Sequence, residues 1–144
     1  MIILGWNRDF EAVWPLDDYE LSRLATEKGE VVKEQWSVGN HVNIEIGTEC
    51  YMLVQGQNHP RGLVARGYTT SVPEEGEHWD DPEKTTNYIQ IDWHSFRSFM
   101  NPIPPKLLDE KIPDVPWLRG IQGSGFPIKG DSQTKLRELW ESKP

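Results

Sequence analysis

Apolar residues alternate with polar ones, or run together, along most of the chain, and this pattern predicts about five strands. The runs MIILGW near the start and ECYMLVQ further on suit two buried strands. In RGLVARGYTTS, Gly62 and Gly67 predict a bulge or tight curvature within a third strand. In NYIQIDW, Ile89, Ile91 and Trp93 share one face, so Trp93 is predicted to lie in the core.

Two other segments differ in whether apolar and polar residues alternate along them. Val42, Ile44 and Ile46 alternate with polar residues within EQWSVGNHVNIEIG, and this alternation predicts extended structure. The acidic segment from Val72 to Thr86 has no such alternation and is predicted to be a loop.

Helical spacing occurs near both ends of the chain. In WPLDDYELSRLATEKG, Asp17 and Glu20 have the spacing of a capping box, and Leu21, Leu24 and Ala25 form an apolar stripe.

The segment DSQTKLRELWES predicts a helix near the C-terminal end. Asp131 is its expected N-cap, and Leu136, Leu139 and Trp140 form its apolar stripe, so Trp140 is predicted to close the core. Residues 101–116 contain five prolines and allow little more than a turn of helix around residues 106–110.

Successive strands without helical crossovers, with one helix near each end, predict an α+β fold with a small mixed barrel rather than a doubly wound sheet. The length of 144 residues fits one domain, 1–144. No apolar run approaches the roughly 20 residues that span a bilayer. Cys50 is the single cysteine, which excludes a disulfide, fits a reducing cytoplasm and suits a small core residue. We therefore expect a soluble, cytoplasmic protein.

Charge and acidic clusters point to no catalytic centre. Six carboxylates surround His78 within residues 74–83, but the spacings of known zinc and calcium motifs are absent, so a solvated loop is the simpler interpretation. Metal-dependent hydrolysis through these acids is the enzymatic alternative. His41, His59 and His94 have no serine or cysteine context that suggests a triad. GSG at 123–125 predicts a tight turn, because a phosphate loop would need a lysine. We predict no catalytic residue, metal or cofactor.

Three of the seven tryptophans end a predicted strand, begin one or lie at the tip of the long loop, and each precedes a small polar residue. The three pairs are Trp6 with Asn7, Trp36 with Ser37, and Trp79 with Asp80. Aromatic planes stack on flat ligands while neighbouring polar groups bind their edges, as in pockets for extruded nucleobases. Such a pocket and internal packing of all three tryptophans are both compatible with the sequence.

Several short motifs follow one another along the chain. They are GWN, QWSVGN, PRGLVARGYTTSVP followed by EHW, then NYIQIDW, and WLRGIQGSGFPI ahead of LRELW. In this order and spacing the chain resembles the EVE-like modules of EVE-HNH modification-dependent endonucleases over about residues 3–141.

The resemblance implies a PUA-like (EVE) pseudobarrel of about five to six curved strands with flanking helices, a fold shared with YTH and ASCH domains. It also implies a module that binds double-stranded DNA containing 5-methylcytosine or 5-hydroxymethylcytosine and flips the modified base into an aromatic pocket. Such a module gives a type IV restriction system its specificity. A YTH-like reader of modified RNA, or of a free nucleotide, is the alternative.

The resemblance assigns pocket positions. Trp36 and Ser37 match a pocket wall, Trp79, next to Asp80, matches the loop aromatic that faces it, and Trp6 and Asn7 match the end of the first strand.

The chain departs from the family pattern at two places. Arg8 replaces a proline, and the chain ends at Pro144, where a nuclease domain would follow. The sequence is therefore compatible with a domain excised from a longer HNH nuclease and with a stand-alone reader whose nuclease is a partner. The net charge of −8, from 15 basic and 23 acidic residues, also disfavours a strongly electrostatic DNA binder. The basic residues predicted to contact the nucleic-acid backbone are Arg61, Arg66, Lys84, Arg119 and Lys129.

Overall fold

Strands and helices of an α+β fold follow one another along the chain in a computed structural model, which describes residues 1–7, 15–56, 59–119, 121 and 124–142. Arg8 lies outside these ranges. The elements within them are β1 (Ile2–Asn7), α1 (Leu16–Glu27), β2 (Val32–Gly39), β3 (Glu49–Gln55), β4 (Gly62–Thr69), β5 (Glu74–Glu77), β6 (Thr85–Phe96), α2 (Pro105–Lys111), β7 (Phe126–Pro127) and α3 (Asp131–Ser142).

The strands form one mixed sheet that curls into a half-barrel. Its order is β2-β6-β4-β3-β1-β7, with β1 parallel to β3 and the other pairs antiparallel. The short strand β5 pairs with the first residues of β6, and β4 pairs with the last ones. An α+β fold with a mixed, curved sheet is therefore confirmed, with β5 and β7 as short additions to the predicted strands.

Both faces of the sheet are covered, which explains the continuous apolar runs in β1 and β3. One core contains Trp6, Trp93 and Cys50 and is covered by α1 through Tyr19. The other core contains Trp140 and is covered by α2 and α3. The predicted burial of Trp93, Trp140 and Cys50 is confirmed.

Two glycines allow the sheet to curve where the sequence predicts it. A Cβ on Gly67 would lie 2.3 Å from the backbone oxygen of Asp92, and the pairing of β4 with β6 shifts register next to Gly67. Gly62 has a φ of +142°, and a Cβ there would lie 1.9 Å from the oxygen of Ile103. A larger residue at either position would push neighbouring backbone apart.

The strand predicted around residues 42–46 is wrong. This segment is a loop in which Val42 and Ile46 are 64% and 65% exposed and Ile44 alone of the three is buried. Its conformation is set by hydrogen bonds to β4 rather than by a ladder, since the Thr69 hydroxyl donates to the Glu45 oxygen at 2.8 Å.

The predicted apolar stripe and capping box of the first helix are also wrong. Pro15 is the N-cap and makes no side-chain cap, so the helix begins before the predicted box. Leu21 and Leu24 are 66% and 45% exposed, because α1 packs through the buried Tyr19, whose hydroxyl donates to the Arg97 oxygen. None of the described helices is long and apolar enough to cross a membrane.

A buried carboxylate joins the sheet to α3. Glu49 is 6% exposed and accepts hydrogen bonds from the Tyr51 hydroxyl at 2.9 Å, Arg66 Nε at 3.0 Å and Arg137 Nε at 2.6 Å. Burial, together with this carboxylate, raises the pKa of Tyr51. Both carboxylate oxygens are thus used, and α3 is tied to β3 and β4 by charge as well as by packing.

Removing this charge should destabilise the fold. We expect Glu49→Gln to lower the free energy of unfolding by about 2–4 kcal/mol, because two arginines lose a carboxylate that is taken out of water. Urea unfolding would measure the change, with Glu75→Gln on the exposed strand β5 as the matched control. Equal stability of the two variants would contradict this role for Glu49.

Candidate functional site

The two edges of the curled sheet approach each other beside the end of β1. Strand β7 pairs with Ile2 and Ile3. Beyond these two residues, no strand of the described part of the chain pairs with the outer edge of β1. There Trp36 Nε1 on β2 donates to the Gly5 oxygen at 3.1 Å, and the Gly5 nitrogen donates to Ser124 Oγ at 3.1 Å. The Trp36 side chain therefore bridges β1 and β2, and the Ser124 side chain satisfies the Gly5 nitrogen, where a backbone ladder would otherwise run.

A cavity of about 560 Å³ occupies this gap. This volume lies within the ~300–1,000 Å³ range of small-ligand pockets. Among the described residues, the lining contains no aspartate, glutamate, lysine or arginine. It is formed by Gly5, Trp6, Asn7, Gln35, Trp36, Ser37, Gly39, Gln55, His78, Trp79, Thr86, Tyr88 and Ser124.

Two of the tryptophans are built into the core. Trp6 is 1% exposed and contacts Tyr19 and Phe99, with ring centroids 5.9 and 5.7 Å away. Trp36 is 6% exposed and is oriented by its hydrogen bond to Gly5. These two indoles are fixed by packing that does not depend on a ligand.

Trp79 differs from both. It lies on the loop after β5, lines the cavity and is 47% exposed. The ring of His78 stacks on it, with centroids 5.1 Å apart and an interplanar angle of 26°. Internal packing of all three tryptophans, the alternative left open by the sequence, does not hold for this one. An aromatic face half open to solvent beside a cavity is available for stacking on a ligand.

Hydroxyl and amide groups form the polar part of the lining. Ser37 Oγ and Thr86 Oγ1 are 2.7 Å apart and share a hydrogen bond. Gln55 Nε2 donates to the Ile121 oxygen at 2.9 Å, which orients its amide. Such groups both donate and accept, so they suit the edge of a neutral heterocycle.

Five of the six predicted pocket residues, all except Asp80, line this one cavity. Asp80 is exposed and does not belong to the lining; its backbone nitrogen donates to His78 Nδ1 at 3.1 Å.

The basic residues predicted to contact a nucleic-acid backbone fall into two groups. Three of them, Arg61, Lys84 and Arg119, are exposed, and each is linked to a lining residue by the backbone. Arg61 precedes Gly62, which pairs with Val54 next to Gln55, and Arg119 lies two residues before Ile121, whose oxygen accepts from Gln55. The oxygen of Lys84 accepts from the His78 nitrogen.

The other two lie elsewhere. Arg66 forms ion pairs with Glu49 and Glu141 and lines a different cavity. Lys129 follows Ile128, whose nitrogen donates to the Met1 oxygen at the opposite end of β1, roughly 20 Å along the strand from Asn7.

Sequence reasoning missed several lining residues, notably Gln55, His78, Tyr88 and Ser124. Ser124 belongs to the GSG segment predicted as a tight turn, whose first glycine lies outside the described residues. Neither its role nor that of Gln55 has a local sequence signal, because each acts on a residue far away in the chain.

The acids predicted to form a solvated loop lie partly on a strand. Glu74, Glu75 and Glu77 project from β5 as exposed side chains. Their strand was missed because it buries almost nothing and is held by backbone pairing with β6. Among the described residues, no three histidine, cysteine or acidic side chains are grouped as metal ligands would be.

Comparison with protein-family models and with curated proteins finds no match for the chain. Among solved structures, a hypothetical protein from Leishmania major has a TM-score of 0.67 at 6% identity, over 99% of this chain and 94% of that one. A protein from Pseudomonas putida has a TM-score of 0.57 at 11% identity, over 96% and 97% of the two chains. At these identities the likeness shows a shared fold and nothing further.

The tryptophans should differ sharply in their effect on stability. We expect Trp36→Ala to cost about 3–5 kcal/mol of unfolding free energy, because it empties a buried volume and leaves the Gly5 carbonyl without its donor. Trp79→Ala should change stability by about 0.5 kcal/mol or less, since the ring is half exposed. Urea titrations of both variants would test this, and a large loss of stability in Trp79→Ala would contradict the assignment of that ring to the ligand side.

Proposed function

We propose that the cavity between β1 and β2 holds one modified cytosine, flipped out of double-stranded DNA, and that the chain is a reader domain of the PUA-like (EVE) class. The base is 5-methylcytosine or 5-hydroxymethylcytosine, and the chain supplies the specificity of a modification-dependent restriction system. Cleavage comes from an HNH nuclease domain in a longer protein or in a partner, and the reader itself has no catalytic residue, metal or cofactor.

The observation that carries this proposal is the aromatic, uncharged lining of the cavity. Trp6, Trp36 and Trp79 offer flat apolar surface, and no described lining residue carries the fixed charge that a bound phosphate group would need. Extruded bases are held by stacking and by hydrogen bonds to their edges. The cavity volume of about 560 Å³ accommodates one base.

The polar lining suits the edge of cytosine. A cytosine edge presents an amino donor next to ring acceptors, and an amide side chain presents the complementary donor and acceptor together. Gln55 and Asn7 lie at the paired ends of β3 and β1, so two amides line the cavity side by side. Ser37 and Thr86 add hydroxyls on the β2 side.

The fold and the sequence motifs give independent support. A curled mixed sheet with flanking helices is consistent with a pseudobarrel. The residues that the motif resemblance assigns to the pocket, apart from Asp80, come from three separate parts of the chain and meet at one cavity.

Removing the exposed indole should abolish discrimination. We expect Trp79→Ala to weaken binding to a duplex containing 5-methylcytosine or 5-hydroxymethylcytosine by roughly 5- to 150-fold, the worth of about 1–3 kcal/mol of base stacking. Trp79→Phe should keep most of the preference because it keeps an aromatic face. Gel shifts with plain, methylated, hydroxymethylated and glucosylated duplexes would measure both variants.

The panel also separates the alternatives. Equal binding of all four duplexes by the wild-type protein would contradict the proposal. Stronger binding to modified single-stranded RNA than to any duplex would replace it with an RNA reader.

Phosphate contacts should come from Arg61 and Arg119, which are exposed and whose chain neighbours lie beside the lining residue Gln55. We expect Arg61→Ala and Arg119→Ala each to reduce the salt dependence of duplex binding by about one unit of slope while leaving the preference for modified cytosine unchanged. Lys129→Ala, at the far end of β1, is the matched control and should have no effect. A larger change in Lys129→Ala than in the other two variants would place the DNA backbone on a different face.

A further inference from the structure

His78 accepts two backbone hydrogen bonds from its own loop. Its Nδ1 lies 3.1 Å from the nitrogen of Asp80 and 3.2 Å from the nitrogen of Asp81, and both nitrogens donate. A ring nitrogen accepts only when it carries no proton. In this conformation His78 is therefore neutral, with its proton on Nε2.

These bonds close the turn that carries Trp79. The turn begins where the His78 nitrogen donates to the Lys84 oxygen at 3.0 Å, and it is completed when the Lys84 nitrogen donates to the Asp81 oxygen at 3.0 Å. Trp79 lies inside this turn, directly after His78, and its indole stacks on the His78 ring. The position of Trp79 thus depends on His78 through both the backbone and the ring contact.

We propose that neutral His78 is a positioning residue that holds Trp79 at the cavity, and that protonation of His78 releases the turn and weakens ligand binding. The proposal rests on the proposed function, since it concerns how Trp79 is presented to the base. An imidazolium has N–H at both ring positions, so Nδ1 can no longer accept from two N–H groups. The ring must then leave the turn, and Trp79 loses its support.

Several other charged or titratable groups lie around His78. They are Glu77 on β5, Tyr88 on β6, and Asp80, Asp81 and Lys84 in the turn. Tyr88 donates its hydroxyl to the Glu77 oxygen at 2.6 Å, and burial raises the pKa of Tyr88. Lys84 Nζ lies 3.8 Å from the Asp81 carboxylate.

A variant that cannot titrate separates His78 from these neighbours. In His78→Asn the amide oxygen can accept from the same backbone N–H groups, as asparagine does in Asx turns, but it does not take up a proton near neutral pH. His78→Ala removes the acceptor at every pH. His94→Asn replaces an exposed histidine that does not line the cavity and is the matched control.

The test is the ratio of affinities for modified and plain duplexes between about pH 8 and about pH 5.5, the range in which histidines titrate. Acid makes the whole protein less negative and so favours both duplexes, whereas release of Trp79 lowers the ratio. From high to low pH, we expect this ratio to fall about five- to tenfold for the wild-type protein and for His94→Asn, which corresponds to the loss of about one or two hydrogen bonds. It should stay within about twofold for His78→Asn and be low throughout for His78→Ala.

If the ratio of affinities depended on pH in His78→Asn as it does in the wild-type protein, the proposal would be overturned. Equal ratios of affinities in His78→Ala and the wild-type protein at about pH 8 would also overturn it.

A ligand-free measurement keeps this proposal distinct from the proposed function. Nitrogen NMR of the free protein should show an unprotonated Nδ1 in His78 at high pH, and the amide resonances of Asp80 and Asp81 should shift together as it protonates. A proton on Nδ1 at high pH would overturn the proposal. If no duplex is preferred in the binding assay, the proposed function fails, and this measurement alone then decides whether His78 holds the turn.

Discussion

The backbone of Gly5 is the constraint on which the site depends. Its nitrogen and oxygen face the outer edge of β1, beyond the reach of the two-residue strand β7, and a backbone group left unpaired there would cost free energy. Ser124 and Trp36 supply the missing acceptor and donor. Because an indole and a hydroxyl are used in place of another strand, the edges of the curled sheet stay apart and a cavity remains between them.

Because of this arrangement, the Trp36 side chain both stabilises the fold and lines the site. Trp36 closes the half-barrel through its Nε1 and presents its ring at the cavity, whereas Trp6 is mainly a core residue at the floor. Trp79 contributes little to the core, and its loop is held by the small set of bonds around His78. The cavity therefore combines two aromatic rings fixed in the core with one that is half exposed, and in the proposed reader the exposed ring is the one left to stack on the base.

The sequence predicted the parts of the structure whose signal is local. Strand periodicity located Trp93, helical spacing located Trp140, and the pairing of tryptophans with small polar residues identified five of the thirteen described lining residues. What it missed depends on distant partners. Val42 and Ile46 alternate like strand residues but have no sheet to join, and Leu21 and Leu24 form a stripe that the core does not use because Tyr19 reaches it instead. Ser124 likewise contacts Gly5, far away in the chain, whereas the contacts of His78 are local and follow from turn geometry, which composition does not encode.

The acidic segment is the feature that a DNA reader must accommodate, since the chain carries a net charge of −8. Glu74, Glu75 and Glu77 border a separate depression beyond Tyr88, and none of them lines the aromatic cavity. Arg61 and Arg119 are exposed, and their chain neighbours Gly62 and Ile121 lie at the end of β3 rather than beside β5. In the proposed reader, the phosphates lie beside these arginines, and at physiological salt their repulsion by carboxylates more than about 8 Å away is largely screened. In the proposed reader, these acids restrict the direction from which DNA approaches, and they leave the lining of the aromatic cavity uncharged.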